Sequence, residues 1–248
     1  MKKIFTLIAT ACMALAANAQ NLIVFDNDAT YIDEQSFTQG DVTLTLSKDI
    51  KNATKWDKKV YTVKEGENLA PFNQAINSEN DVLYISGGNN PKDGEDNSGA
   101  GYTEDNANLP KSGTYYKVTT TKNGTILIGI VLNSGKPFYV CKESDGSALG
   151  VDELTMKNAA GTVQTLTDRK LSEKIFGTVE FSAVANETYY VFCTGSKLGC
   201  FGVQLITDPE TSVNSIKSSE EGNVKAYDLG GRVASKGLLI QKGKKYVR

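Results

Sequence analysis

The sequence predicts an all-β protein: a single antiparallel β-sandwich, jelly-roll-like, followed by a small β tail at the C-terminus. Three observations predict it. Short runs of alternating apolar and polar residues recur along the chain, turn-forming Gly, Asn and Ser separate them, and helical periodicity is sparse. Val42-Thr43-Leu44-Thr45-Leu46-Ser47 is the plainest run, with an apolar residue at every second position, as a strand buried on one face requires. Tyr116-Lys117-Val118-Thr119 and Thr178-Val179-Glu180-Phe181-Ser182 repeat the pattern. Ile126-Leu127-Ile128-Gly129-Ile130-Val131-Leu132 is apolar throughout and predicts a central strand covered on both faces. Gly129 inside it predicts a bulge or a close backbone approach. Further strands are expected at 22–25, 60–63, 82–85, 138–141, 189–194 and 201–206. One or two helical turns are expected over 68–76, where Pro71 is tolerated early, and another over 171–176.

The N-terminus carries a separate signal. Lys2 and Lys3 precede an apolar run over 4–17, and Ala17-Asn18-Ala19 supplies small residues, so a signal peptide over 1–19 is expected, cut between Ala19 and Gln20. The run is too short for a transmembrane helix and lacks a basic stop-transfer flank, so no membrane span is expected once it is removed. A lipoprotein reading at Cys12 would leave a stunted apolar core. Losing Lys2 and Lys3 takes the basic residues from 27 to 25 against 29 acids, a charge of −4. That mild acidity gives no pull toward nucleic acid or anionic lipid. The remaining chain is long enough for one full sandwich core over 20–206. A polar linker over 207–223 and a small β segment over 224–248 follow, with Leu238-Leu239-Ile240 turning at Lys242-Gly243 into Lys245-Tyr246-Val247.

Cys141, Cys193 and Cys200 survive signal removal, and an odd number leaves at least one unpaired within the chain. Cys193 and Cys200 are expected to flank a hairpin. A two-residue turn at Ser196-Lys197 would set them opposite each other, whereas a three-residue loop ending on Gly199 would separate them. Small buried apolar side chains are the simpler reading.

The segment from Gly87 to Pro110 stands apart. Its first half is nearly all turn formers, with too little apolar surface to order itself, and a loop that long is expected to be functional or mobile. Hard oxygen donors cluster in it at Asn89, Asp93, Glu95, Asp96 and Asp105, as a calcium ion requires, with Asp93, Glu95 and Asp96 the candidate ligands. An EF-hand register starting at Asn89 fails at Pro91 and at Ala100. The competing reading is a solvated acidic loop with no cofactor.

The chain has no histidine, which removes the commonest general base and every Ser-His-Asp or Cys-His arrangement. Three scattered cysteines make no zinc site. Paired carboxylates of a glycosidase, or a lysine or tyrosine base of a lyase, are compatible with the composition, but no motif points to them. Binding without catalysis is the expectation. Sugar faces stack on aromatic rings while amides and ammonium groups bond their hydroxyls, so Trp56, Tyr61, Tyr84, Tyr102 and Tyr115, with Asn89, Asn90 and Lys197, are the candidate ligand contacts. Trp56 lies in Lys55-Trp56-Asp57-Lys58-Lys59, where no core pattern explains it. Core burial is the competing reading for each aromatic.

Two resemblances complete the reading. Val213-Asn214-Ser215-Ile216, Val224-Lys225-Ala226-Tyr227-Asp228-Leu229-Gly230-Gly231-Arg232-Val233, Lys236-Gly237-Leu238-Leu239-Ile240 and Gly243-Lys244-Lys245-Tyr246-Val247 resemble the C-terminal sorting segments of type IX secretion cargo, though shortened between Val233 and Lys236. This implies a partner in that secretion machinery and a place outside the cell or on the outer-membrane surface. If the tail is not a working signal, the place is the periplasm. The body is similar to a β-sandwich module of secreted bacterial proteins found beside pectate-lyase-like domains. The carrying residues are Ser112-Gly113-Thr114-Tyr115-Tyr116-Lys117, Gly124-Thr125-Ile126, Lys136-Pro137-Phe138-Tyr139-Val140 and Thr188-Tyr189-Tyr190-Val191-Phe192-Cys193-Thr194-Gly195-Ser196-Lys197-Leu198-Gly199. That resemblance implies an accessory, glycan-binding role. The alternatives are a structural or adhesive surface protein with no small ligand, and a polysaccharide-degrading enzyme.

Overall fold

A computed structural model describes residues 21–49, 56–77, 80–207, 238–241 and 244–247. The alternating runs build two antiparallel sheets. The larger comprises β1 (Leu22–Val24), β4 (Asp57–Tyr61), β5 (Val82–Ser86), β7 (Gly124–Leu132), β9 (Thr155–Asn158), β10 (Val163–Gln164), β11 (Ile175–Ala183) and β13 (Gly199–Thr207). Its order is β10-β9-β11-β7-β13-β5-β4, with β1 pairing along the later part of β13. The smaller sheet runs β2-β3-β6-β12-β8, from β2 (Ser36–Gln39), β3 (Val42–Leu46), β6 (Tyr116–Thr120), β12 (Thr188–Cys193) and β8 (Phe138–Lys142). From β5 onward the chain passes back and forth between the sheets, setting β5-β13-β7-β11 over β6-β12-β8. That is jelly-roll order with one outer position of the smaller sheet unfilled by a strand. Irregular chain closes that edge instead. The backbone of β8 bonds outward to Ser147, Leu149 and Arg169 at 2.8–2.9 Å.

Side-chain alternation follows the pleat. Val42, Leu44 and Leu46 of β3 enter the inter-sheet core, while the hydroxyls of Thr43 and Thr45 bond those of Thr38 and Ser36 on β2 at 2.9 and 2.8 Å. The strand β7 is buried on both faces, as expected. Ile126, Ile128, Ile130 and Leu132 join the inter-sheet core, and Leu127 and Val131 pack outward against Leu69, Phe72 and Phe201. Gly129 meets both of its expectations. A Cβ there would lie 2.7 Å from Phe201 and 2.9 Å from Phe72, and opposite it β13 bulges between Cys200 and Gly202. In β12, Tyr189, Val191 and Cys193 face inward, whereas Tyr190 and Phe192 face outward against Tyr102, Tyr115 and Tyr139.

A buried hydroxyl ties the sheets through the core. Tyr116 of β6 is fully buried, and its phenol proton is shared between the carbonyl oxygens of Ile85 and Leu198, each 2.9 Å away. Ile85 belongs to the opposite sheet, and Leu198 to the segment that enters β13. The Trp56 ring packs on Tyr116 with centroids 5.7 Å apart.

Several expectations are corrected. No helix forms over 68–76 or 171–176; the helical content of the described residues is a single 3-10 turn at Val151–Glu153. Asn68 and Asn73 accept bonds from the backbone of Ala70 and Leu69, which replaces a helical ladder by a side-chain-capped turn. Ile175 and Phe176 already belong to β11. The expected hairpin between Cys193 and Cys200 does not exist, because β12 and β13 lie in different sheets and residues 194–198 cross between them. Both cysteines and Cys141 are buried free thiols. Gly199 is needed for packing, not for positive φ: a Cβ would sit 2.9 Å from both Tyr84 and Val131. Gly195 takes the positive φ of the crossover, 70°.

The chain divides into two units at residue 208. In the second, β14 (Leu238–Gln241) and β15 (Lys244–Val247) pair antiparallel with Gln241 opposite Lys244, the hairpin expected there. The signal segment with Ala19 and Gln20, the linker beyond Thr207, residues 224–237 of the tail and the turn at 242–243 lie outside the described residues. Among the described residues no helix is long and apolar enough to cross a membrane.

Two measurements check this core. Tyr116→Phe keeps the ring but strips two buried carbonyls of their donor, so chemical denaturation should show a loss of about 1–3 kcal/mol. Burial pushes the thiols of Cys193 and Cys200 up to about 12 and that of Cys141 to about 11. All three should therefore resist a thiol reagent at neutral pH and react together on denaturation.

Candidate functional site

The long polar loop is held by polar pins. Asp49, fully buried after β3, accepts bonds from the backbone N–H groups of Gly88 and Asn89 and from the Asn89 amide at 2.6 Å. A Cβ at Gly87 would lie 2.5 Å from the Asp49 carboxylate and 2.6 Å from the Thr114 hydroxyl, so glycine is required for this approach. Thr114 donates to the Asn89 carbonyl through both its N–H and its hydroxyl, at 2.9 and 2.7 Å. Further along, the buried Ser112 hydroxyl donates to Gly94 O at 2.6 Å and accepts from Asn97 N at 2.9 Å. The expectation that this segment lacks the means to order itself is thus corrected. Hydrogen bonds, together with Tyr102 and Leu109 laid on the outer face of the smaller sheet, replace the missing apolar surface.

Pinned there, the loop makes one wall of a groove of about 740 Å³; the 143–146 turn after β8 makes the other. Asp93, Asn108, Leu109, Lys111, Glu143 and Asp145 line it, and Tyr190 of β12 contributes to its floor. Its size falls within the usual range of small-ligand clefts. The two walls are joined by the Tyr102 hydroxyl donating to Gly146 O at 2.8 Å. Lys117 stands 3.2 Å from Glu143 and 4.7 Å above the Tyr190 ring, whose hydroxyl reaches Glu143 at 3.1 Å. Partial burial would raise the Glu143 carboxyl. The Lys117 ammonium and the bonds from Tyr190 and Thr188 outweigh that and hold it below the ordinary glutamate range. The Ser147 hydroxyl and N–H hold Asp145 low as well. Both groups thus stay acceptors at neutral pH, and neither has the raised value a general acid needs. Acceptors at Glu143 and Asp145, donors at Asn108 and Lys111, and C–H surface at Leu109 and Pro110 suit a polyhydroxylated ligand.

The residues singled out from sequence do not converge. Trp56 is 1% exposed, a core residue whose indole N–H donates to Asp33 at 3.0 Å. Tyr102 and Tyr115, 4% and 6% exposed, are covered, with Tyr115 stacked on Tyr190. Tyr61 is half-buried on the outer face of the larger sheet, stacked 3.9 Å from Phe176 and donating to Glu67 at 2.6 Å. Asn89 is spent on Asp49, Asn90 is exposed, and Lys197 is exposed on the crossover between β12 and β13. Among the candidate cation ligands, Asp93 accepts from Ala100 N at 2.6 Å, Asp96 caps Ser98, and Glu95 is exposed. Among the described residues no three Asp, Glu, Cys or His side chains are placed to share a metal ion. Of all these residues only Asp93 lines the groove. Asn108, Lys111, Glu143, Asp145 and Tyr190 were not anticipated. Glu143-Ser144-Asp145-Gly146 reads as an ordinary polar turn, and nothing local places it beside residue 108.

Fold and groove together define an all-β sandwich with a ligand-sized cleft on the outer face of its smaller sheet. Compared with known proteins, the chain matches no family model and no curated sequence.

Because Asp49 holds the loop start, Asp49→Ala leaves three donors unsatisfied. It should cost about 3 kcal/mol and open residues 88–110 to limited proteolysis before the sandwich itself is cut.

Proposed function

We propose that the chain is an exported, surface-associated binding module without catalytic activity, and that the ligand in the groove is a glycan. The observation that carries this reading is the groove itself: polar donors and acceptors interleaved with apolar surface, built on a rigid sheet and a pinned loop. The depressed carboxyl groups favour holding a ligand over cleaving it, since glycoside hydrolysis needs one carboxyl kept protonated near neutral pH. Export is supported by the N-terminal pattern of Lys2, Lys3, the apolar run and Ala17-Asn18-Ala19, and surface sorting by the tail's resemblance to type IX secretion segments.

Affinity electrophoresis against neutral plant and host polysaccharides, followed by calorimetry with a retarding oligosaccharide, tests the reading. Retardation is expected, with Asn108→Ala and Glu143→Gln each weakening binding roughly tenfold, about 1.4 kcal/mol. Binding should persist to lower pH than ordinary carboxylates would allow and fade as the pH falls through the lowered values of Glu143 and Asp145. No retardation on any polymer, or cleavage of one, would sink the proposal.

A further inference from the structure

A second cavity lies on the outer face of the larger sheet, at the end of β7 and the start of β11 and β13. It holds about 120 Å³ and is lined by Lys59, Lys174, Lys197, Tyr84, Asn133 and Ser196 among others, with no carboxylate. This sets it apart. Three larger cavities of the sandwich each carry two or more acids: Asp93, Glu143 and Asp145 in the groove, Asp26 and Asp28 in one of about 510 Å³, Glu67 and Glu173 in one of about 310 Å³. In a chain of net charge −2, Lys59 is brought to the same cavity as Lys174 and Lys197, each more than a hundred residues further along, and no acid lines it; Lys174 also borders the neighbouring cavity that holds Glu67 and Glu173. None of the three makes an ion pair among the described residues.

Register and packing fix where the three lysines leave the backbone, and all three side chains are exposed. Lys59 of β4 stands directly across from Tyr84 of β5 in the strand register. Lys174 lies over the Phe176 ring, 4.9 Å from its centroid, which fixes its stem just ahead of β11. Lys197 rides on the crossover, which is held by the Asn133 amide donating to the Ser196 hydroxyl at 2.9 Å and by the tight packing of Gly199 on Tyr84 and Val131. An anion placed in the cavity is attracted by three like charges at its rim and accepts bonds from their ammonium groups.

We propose that this cavity is an oxyanion site that takes one carboxylate or sulfate group, presented by an acidic saccharide. Its volume suits a single such group and is too small for a polymer, so the rest of the saccharide would lie along the outer face of the sheet. The site is independent of the groove. It sits at the Phe138 end of β8, whereas the groove sits past Lys142, and it is on the other sheet.

The full chain is titrated calorimetrically with sodium sulfate, with hexagalacturonate and with neutral maltohexaose. Saturable binding of hexagalacturonate is expected, weakening as salt rises from low to physiological strength. Lys59→Ala, Lys174→Ala and Lys197→Ala should each weaken it roughly two- to fivefold, with Lys197→Arg close to the parent. Lys170→Ala, an exposed lysine outside the cavity, should leave it unchanged. Thermal melts confirm that the variants fold. Saturable binding of sulfate alone keeps the oxyanion site and assigns it to a free anion. Equal losses in Lys170→Ala, unchanged binding in the triple alanine variant, or no binding of either anion overturns it. Neutral oligosaccharides report on the groove and anions on this cavity, so the two proposals fail separately.

Discussion

Strands β7 and β12 carry apolar side chains on both faces, and two sheets packed together cover only one face of each. Everything outside the central core answers that shortfall. The segment 62–77 brings Leu69 and Phe72 onto the outer face of β7, and the segment after β5 brings Tyr102 and Leu109 onto the outer face of β12. The molecule therefore has partial third and fourth layers made of loop, and each layer leaves a margin where it stops. The groove and the lysine-lined cavity are such margins. A cleft here is a by-product of covering apolar sheet with connections too polar to cover it completely.

How the polar cover stays down is a second matter. It has little apolar area to hold it, so it is fixed by the hydrogen bonds of buried groups: the Asp49 carboxylate, the Ser112 hydroxyl and the Thr114 hydroxyl. Such a network is stable only when complete, since each partner left alone in the interior costs free energy. The glycine at 87 belongs to the same device, because the backbone must come within contact of Asp49 for the bonds to form.

Strand positions were legible in the sequence wherever burial imposes period two. The run over 42–46, the doubly buried run over 126–132 and Gly129 within it carry their structural meaning locally. The strand β2, Ser-Phe-Thr-Gln, was not legible, because an edge strand secured by hydroxyl pairs need not be apolar. The expected helical turns failed where Asn68 and Asn73 bond the nearby backbone. Trp56 looked exposed because Lys and Asp surround it in the sequence, yet the chain just before β4 turns its indole into the core. The Cys193–Cys200 hairpin was a natural inference from proximity, and only the sheet to which β13 pairs decides against it. The groove was invisible for a plainer reason: Asp93 and Asn108 come from the connection between β5 and β6, Glu143 from the turn after β8 and Tyr190 from β12, and they meet only when that connection folds over the smaller sheet.

The edge of the smaller sheet beyond β8 is closed by residues 147–149 and by Arg169, not by a strand. A strand there would be bound to a fixed pleat and register, so lengthening or shortening it would disturb the whole layer. Apart from the single antiparallel bridge of Ala148 to Cys141, irregular chain carries no such obligation. The stretch between β8 and β9 can diversify in length and chemistry while the sandwich beneath it is conserved, so descendants of one scaffold are free to remodel the turn at 143–146 and acquire new preferences without refolding.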